Sequence, residues 1–481
     1  MFERWQVLKF DSRNKMKMPY LNIHRPGLTA GITFLLAQLL ILTLASPPAR
    51  AAADDKAAAT DRETHISQDW SLHAQATTIF QGYPSFHSSY QGPNSLGAGH
   101  QIQNTETATL FAAARLWPGA TIFINPEVAR GFGLNNTAGI AGFSNGDATK
   151  AGSKNPKPYL ARYYIQQVIG LGGEKEWVEG AANQLAGYQD INRITLSFGK
   201  LGGNDFFDNN SASHDGRTQF MNLAIWESGA WDFAADARGY TYGFVVEYNR
   251  EAWALRYEAL IAPEFRNESA LPWHGLNSLS HNVELERRYK IGNRPGKARL
   301  LAFYTRARQG NYREALALAA SLNIDPNTAI DQTRHYGNEK YGFVVNLEQE
   351  LTDSLTGFTR LSFNDGKTED WSFTQIDRGI TLGLSQKGTS WARPDDSFGV
   401  AEAINQISSA QRDFLAVGGL GLIIGDGALH YGPEAITEVY YNLKFLKVFS
   451  LTADYQLVLH PAYNRDRGPV HIFSGRIHFE I

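Results

Sequence analysis

The chain closes on VHIFSGRIHFEI, residues 470–481, and the reading of this stretch decides the fold. Phe473, Gly475, Ile477, Phe479 and Ile481 share one parity; Ser474, Arg476, His478 and Glu480 share the other. Side chains alternate across a strand, so the segment predicts a strand with one apolar and one charged face. Two settings suit it. As a surface strand of a β-sandwich, its long edge would invite aggregation. As the closing strand of a transmembrane barrel, it turns its apolar face to lipid and its polar face to a wet lumen.

The same alternation recurs upstream. Trp70, Leu72, Ala74 and Ala76 alternate with Ser71, His73, Gln75 and Thr77. Leu110, Ala112, Ala114 and Leu116 alternate with Thr109, Phe111, Ala113 and Arg115. A Pro118-Gly119 turn follows, and then Ile122 and Ile124 oppose Phe123, Asn125 and Glu127, which makes a hairpin. Ala161, Tyr163 and Ile165 oppose Arg162, Tyr164 and Gln166; Ile194, Leu196 and Phe198 oppose Arg193, Thr195 and Ser197. Tyr240, Tyr242, Phe244, Val246 and Tyr248 oppose Thr241, Gly243, Val245, Glu247 and Asn249. Trp253, Leu255, Tyr257 and Ala259 oppose Ala254, Arg256 and Glu258.

Roughly 16 to 18 such segments occur, each near the ~9–11 residues that a tilted membrane strand needs. Tight turns alternate with long polar loops, among them residues 82–104, 134–158 and 199–217. Short turns on one rim and long loops on the other mark an outer-membrane barrel. Tyr240, Tyr248, Trp253 and Tyr441 fall near strand ends, where an interfacial girdle would place them. Two stretches break the rhythm. YREALALAASL, Tyr312–Leu322, reads as a loop helix, and the Gly-rich apolar residues 415–427 read as a strand extension or an inward-folded loop. The prediction is an all-β protein, a transmembrane antiparallel β-barrel of about 16 strands over residues 69–481.

The ends and the composition agree. Lys15, Lys17 and Arg25 precede an uncharged apolar run at residues 28–45, and Ala49-Arg50-Ala51 offers small residues for cleavage. Residues 1–51 therefore read as a secretory signal, with Met16 or Met18 as alternative starts; a retained membrane helix is the other reading. Residues 52–68 read as a flexible periplasmic segment. The formal net charge is −3, and residues 1–51 hold seven of the Lys/Arg and two of the Asp/Glu. The remaining 38 basic and 46 acidic residues give −8, which argues against nucleic acid and suits a surface among anionic lipids. Cysteine is absent, so a closed hydrogen-bonded barrel rather than disulfides would supply rigidity.

Several blocks in order resemble the OprB family of carbohydrate-selective outer-membrane porins. They are WSLHAQATTIFQGYPSFHSSYQGPNSL from Trp70, ARLWPGATIFINPEVARGFGL from Ala114, Leu160-Ala161-Arg162, Asp205-Phe206-Phe207-Asp208-Asn209-Asn210 and FAADARGYTYGFVVEYN from Phe233. The resemblance implies a 16-stranded barrel, passive diffusion of sugars, and a narrow lumen with arginine, acidic and aromatic side chains. It further implies mono- or oligosaccharides as solutes, outer-membrane lipid and lipopolysaccharide as surroundings, the barrel-assembly machinery as an insertion partner, and a homotrimer or monomer. No cofactor is expected.

Candidate pore-lining residues follow from parity. Arg115, Glu127, Arg162, Arg193, Glu247, Arg256 and Glu258 all oppose an apolar set and should face inward, with Tyr164 and Phe123 covering sugar ring faces. Each could equally keep the wall wet, and a selective site needs several to converge. Asp205, Asp208, Asn210 and Asp215 share one loop and offer hard oxygen ligands for Ca²⁺, without EF-hand spacing. Gly142-Phe143-Ser144-Asn145-Gly146 matches the G-x-S-x-G of serine hydrolases but lies in a polar loop without a following helix pattern. A general or anion-selective porin remains the alternative, followed by an outer-membrane barrel enzyme.

Overall fold

A computed structural model describes residues 66–481 apart from positions 272, 372 and 373. The signal assigned to residues 1–51 and most of the segment at 52–68 lie outside the described residues. The first strands are β1 (Trp70–Tyr83), β2 (Gln101–Trp117), β3 (Ala120–Gly131) and β4 (Ser153–Gly170). A small hairpin, β5 (Lys175–Val178) and β6 (Gly187–Asp190), precedes β7 (Arg193–Leu201), β8 (Thr241–Asn249) and β9 (Trp253–Ile261). Then come β10 (Leu279–Ile291), β11 (Arg294–Ala307), β12 (Asn338–Glu350), β13 (Leu355–Asn364) and β14 (Arg378–Lys387). The series ends with β15 (Ser397–Gln406), β16 (Glu434–Leu446), β17 (Phe449–Leu459) and β18 (Val470–Glu480).

Sixteen of these strands close into an antiparallel barrel in which chain neighbours pair, β4 joins β7 directly, and β5 and β6 stand apart as their own sheet. The final stretch of sequence is the closing strand: β18 pairs β1 from Gln75↔Glu480 to Gly82↔Phe473. Both ends of the barrel chain lie on one rim, which also carries the Pro118-Gly119 turn. Gly119 sits there at φ +79, a conformation open to glycine, and a Cβ would strike the Val168 carbonyl. Short turns identify this rim as periplasmic.

The faces divide as the alternation requires. Phe198 is 71% exposed and Leu300 54% on the outer surface, whereas Glu258, Glu284, Arg299 and Glu434 are buried inside. Apolar-out and charged-in is the arrangement that hydrocarbon imposes on a barrel with a wet lumen. Tyr240 departs from the reading above. Assigned to the outward parity of β8 and to the girdle, it is only 2% exposed, inside the barrel. It precedes the first residue of β8, and a turn closed by Asp236, whose Oδ1 accepts the Tyr240 N–H at 3.1 Å, frees it from strand parity.

The helix at Tyr312–Leu322 forms as read, its first turn capped by the Asn311 side chain and its end marked by Asn323 at φ 52. Residues 415–427 complete a short helix, Ser409–Ala416, and then fold inward. Ile424 is fully buried there, and the Ile423 N–H donates to Gln375 Oε1 at 2.8 Å.

Leu300 lies at the middle of β11, so Leu300→Lys is expected to destabilise the inserted barrel by ~2–4 kcal/mol, against ~0–1 kcal/mol for Ile291→Lys at the periplasmic rim. Yields of heat-modifiable folded protein should fall for the first variant and hold for the second. Equal yields would contradict the assigned depth and face.

Candidate functional site

A barrel of this strand number encloses room for an aqueous channel, but two loops from the extracellular rim fold back into it. They span residues 132–152, between β3 and β4, and residues 202–240, between β7 and β8. Loop backbone inside a barrel needs hydrogen-bond partners, and the wall's own backbone is committed to its ladder. Wall carboxylates supply them. Glu434 accepts from the N–H groups of Ala141 at 2.9 Å, Gly142 at 2.8 Å and Ala462 at 2.8 Å. Glu438 accepts from Met221 at 2.5 Å and Asn222 at 3.0 Å. Glu284 accepts from Asp208 at 2.8 Å, and Glu348 from Ser211 at 2.6 Å.

Two wall arginines complete the anchorage. Arg360 donates to the Ile225 carbonyl at 2.8 Å and pairs with Asp208 at 3.2 Å. Arg476 donates to the Gly216 and Gln219 carbonyls at 2.8 and 2.9 Å. Between these anchors Phe207, Phe220, Leu223, Ile225 and Trp231 form an apolar loop core. The loops thus fill the lumen against β10 to β18 and leave open space beside β2, β3, β4, β7 and β8.

That space is a cavity of about 780 Å³. Arg115, Lys150, Arg162, Arg193, Arg217 and Arg238 line it with Asp147, Asp190, Asp205, Asp215, Glu227 and Glu247, six charges of each sign. Arg162 reaches Asp205 through Nε at 2.6 Å and lies 4.8 Å from the centre of the Tyr240 ring. Arg217 holds Asp147 at 2.9 Å and Glu127 at 3.3 Å. Lys150 donates to the Tyr240 hydroxyl at 3.0 Å. On the wall Phe123 stacks on Tyr164 with centroids 4.9 Å apart, and Phe206 meets Tyr164 edge-on at 6.2 Å.

Two loop carboxyls titrate differently. Burial pushes Asp205 up, but the Arg162 guanidinium outweighs it and holds the carboxyl below its ordinary range. Burial, with the Asp208 charge adding to it, pushes Glu227 up to about 8. The lining is therefore balanced to within one charge at neutral pH.

Of the residues singled out by parity, Arg115, Phe123, Arg162, Tyr164, Arg193 and Glu247 line the cavity. Glu127, Arg256 and Glu258 face inward but do not line it. Glu127 is enclosed by Thr109 at 2.6 Å, Tyr159, Arg217 and Lys150. Arg256 is spent on Glu247 at 2.6 Å and Glu284 at 2.8 Å. Glu258 is fully buried, accepts from Asn282 at 2.8 Å and lies under Gly203 of the loop. Alternation gives the face of a strand residue; it says nothing about whether a loop covers it.

The carboxylates considered for Ca²⁺ do not converge. Asp205 is held by Arg162, Asp208 by Arg360 and Asn346, and Asp215 by Thr218 at 2.5 Å. No group of three or more His, Cys, Asp or Glu that could hold a metal occurs among the described residues. Ser144 of the G-x-S-x-G match donates to Gln81 Oε1 at 3.1 Å.

Sequence reasoning missed Lys150, Asp147, Arg217, Trp226 and Tyr240, all on the two loops, where no periodicity assigns direction. It also missed Tyr159, for a local reason. Pro126 has no N–H to give the ladder, and opposite it β4 skips Ala161, so that Asn125 pairs Arg162 and Pro126 pairs Leu160. The bulge reverses the parity above it. Tyr159 and Arg162 consequently both reach the lumen, Tyr159 hydrogen-bonding Glu127 and lying 3.9 Å beneath the Arg238 guanidinium.

A family model described as carbohydrate-selective porin, OprB family, matches residues 94–481. Among solved structures, the high-pH structure of Pseudomonas putida OprB superposes with a TM-score of 0.64 at 17% identity, covering 86% of this chain and 94% of that one. The outer membrane channel DcaP of Acinetobacter baumannii gives a TM-score of 0.46 at 10% identity, covering 86% and 97%. No curated protein matches the sequence.

The raised Glu227 carboxyl makes the cavity charge pH-dependent. Raising pH through about 8 ionises it and adds one negative charge to the lining. Reversal potentials in a salt gradient should move toward cation preference across that interval, and Glu227→Gln should abolish the movement. An identical shift in the variant would assign the titration elsewhere.

Proposed function

The chain belongs to the OprB family of carbohydrate-selective porins, and on that premise we propose that neutral sugars cross its lumen through the cavity between the inbound loops and the β3–β4 wall. One observation carries this reading. The cavity has nearly equal numbers of opposite charges, most of them already paired, beside a cluster of stacked aromatic rings. A passage for anions would gain from a surplus of unpaired cations; this lining has none beyond a single charge.

A sugar offers hydroxyls that both donate and accept, together with apolar C–H faces. Arginine and carboxylate groups on opposite sides of the cavity supply donors and acceptors in alternation. Phe123, Tyr164 and Phe206 supply apolar surface with fixed geometry. Each contact is weak and replaceable by the next, so a solute is drawn in without being trapped, as in ion channels. Arg162 and Asp205 sit at the centre of this scheme, since their bidentate pair spans from wall to loop. The path involves no chemical step. Removal of residues 1–51 on export and insertion by the barrel-assembly machinery complete the reading.

Sugar titration of single-channel current tests it. D-glucose or a short maltooligosaccharide should block ion current in a saturable way, and Tyr164→Ala should weaken the block several-fold. Arg162→Ala leaves Asp205 buried without its partner and should shift the reversal potential toward cations while also weakening the block. A current that sugars reduce only in proportion to bulk viscosity would contradict the proposal.

A further inference from the structure

The connection between β4 and β7 differs from its neighbours on the periplasmic rim. Pro118-Gly119 joins β2 to β3, and residues 292–293 join β10 to β11, as is usual for outer-membrane barrels. Residues 171–192 instead contain the β5–β6 hairpin, paired from Lys175↔Asp190 to Val178↔Gly187. Its tip returns into the barrel. Asn183 Oδ1 accepts from Asn125 Nδ2 at 2.8 Å, and Asn125 is fully buried in the middle of β3. Val178, Ala182, Asn183, Gln184 and Leu185 line the same cavity as Arg162 and Tyr164.

The hairpin is held from the side by the segment just before β1. The Gln68 N–H donates to the Ala186 carbonyl at 2.9 Å, and its side-chain Oε1 accepts the Ala186 N–H at 2.9 Å. Arg115 in turn donates to the Gln68 carbonyl at 2.8 Å and pairs with Asp69 at 3.2 Å. Arg193 at the start of β7 pairs with Glu176 at 2.6 Å. At the base Gly172 and Gly173 take φ +81 and +95, the left-handed region in which the chain can leave β4 sharply. Tyr188 lines the cavity and keeps 56% of its surface exposed.

We propose that this hairpin is an inner selectivity element: a periplasmic tongue, latched by Gln68, that forms the floor of the sugar path and offers Tyr188, Asn183 and Gln184 to the departing solute. The inference rests on the sugar-path reading above and extends it to the exit. Amide side chains carry both donors and acceptors and no charge. They can exchange hydrogen bonds with sugar hydroxyls and then with water, without the affinity of an ion pair. An aromatic ring beside them gives the sugar's C–H face a last contact before bulk water. The tongue therefore narrows the exit and adds a binding step to it, whereas the loops constrict the passage from the extracellular side.

Single-channel recordings with D-glucose and maltotriose decide the matter, on the wild type and three variants. Replacing residues 171–192 by a two-residue Asn-Gly turn should raise conductance and weaken the sugar block several-fold. Tyr188→Ala should weaken the block several-fold with little change in conductance. Gln68→Ala should add brief openings to a higher level, as the latch releases. If the shortened chain does not insert, Tyr188→Ala and Gln68→Ala carry the test. Absence of sugar block in the wild type would overturn the sugar path itself. A blocked wild type with variants that conduct and block as it does would overturn only the tongue.

Discussion

Carboxylates that accept hydrogen bonds from loop backbone hold this lumen in shape. A closed barrel uses its own N–H and C=O groups in the ladder, so chain folded into its interior can be satisfied only by side chains or water. A carboxyl group has two oxygens that accept, so it can take several N–H groups at once. Glu434 takes three, from two different loops, and Glu438 takes two. Burial of such groups is costly unless they are hydrogen-bonded, and here they are. Glu284, Glu348, Glu434 and Glu438 thus help to fix the loop core of Phe207, Phe220 and Trp231 on the wall, together with Arg360 and Arg476.

The shape of the passage follows from that anchorage. The carboxyl and arginine bonds to loop backbone lie along β10 to β18, and the open space lies beside β2, β3, β4, β7 and β8. The bulge opposite Pro126 then aims Arg162 and Tyr159 into the same narrow region from a single strand. Asp205, Lys150 and Arg217 arrive from the loops to pair with the wall. Few charges in the cavity are left without an opposite neighbour, so its field changes sign over short distances. A small neutral solute with many hydroxyls is suited to such a surface.

The sequence revealed the barrel because hydrocarbon leaves few alternatives: strands must alternate, and Phe198, Leu300 and the closing strand do so plainly. It revealed Tyr164 and Phe123 for the same reason, since they pair in regular register, and Arg162 because it lies on the regular side of the bulge. Glu258 and Arg256 obeyed the same rule and still do not line the cavity: Glu258 lies beneath Gly203 of the loop, and Arg256 is taken up by Glu247 and Glu284 on neighbouring strands. Tyr240 was misplaced by continuing strand parity one residue past the strand. Lys150, Arg217 and Trp226 were unreadable, as they lie on loops without periodicity, and Arg217, for one, is aimed by bonds to Thr109 and Glu127 far away in the chain. A useful signal was present nonetheless: the loop at 202–240 is rich in charged and aromatic residues, and it follows β7, the strand paired with the β4 that carries Arg162.

The central claim is that this passage selects for neutral sugars through a charge-balanced, aromatic-lined constriction. Liposome swelling with size-matched solutes tests it most directly, comparing D-glucose with gluconate and glucosamine at neutral pH. Glucose is expected to enter faster than either charged relative, at low and at moderate salt alike. Rates that follow molecular size alone, or that favour gluconate, would contradict it.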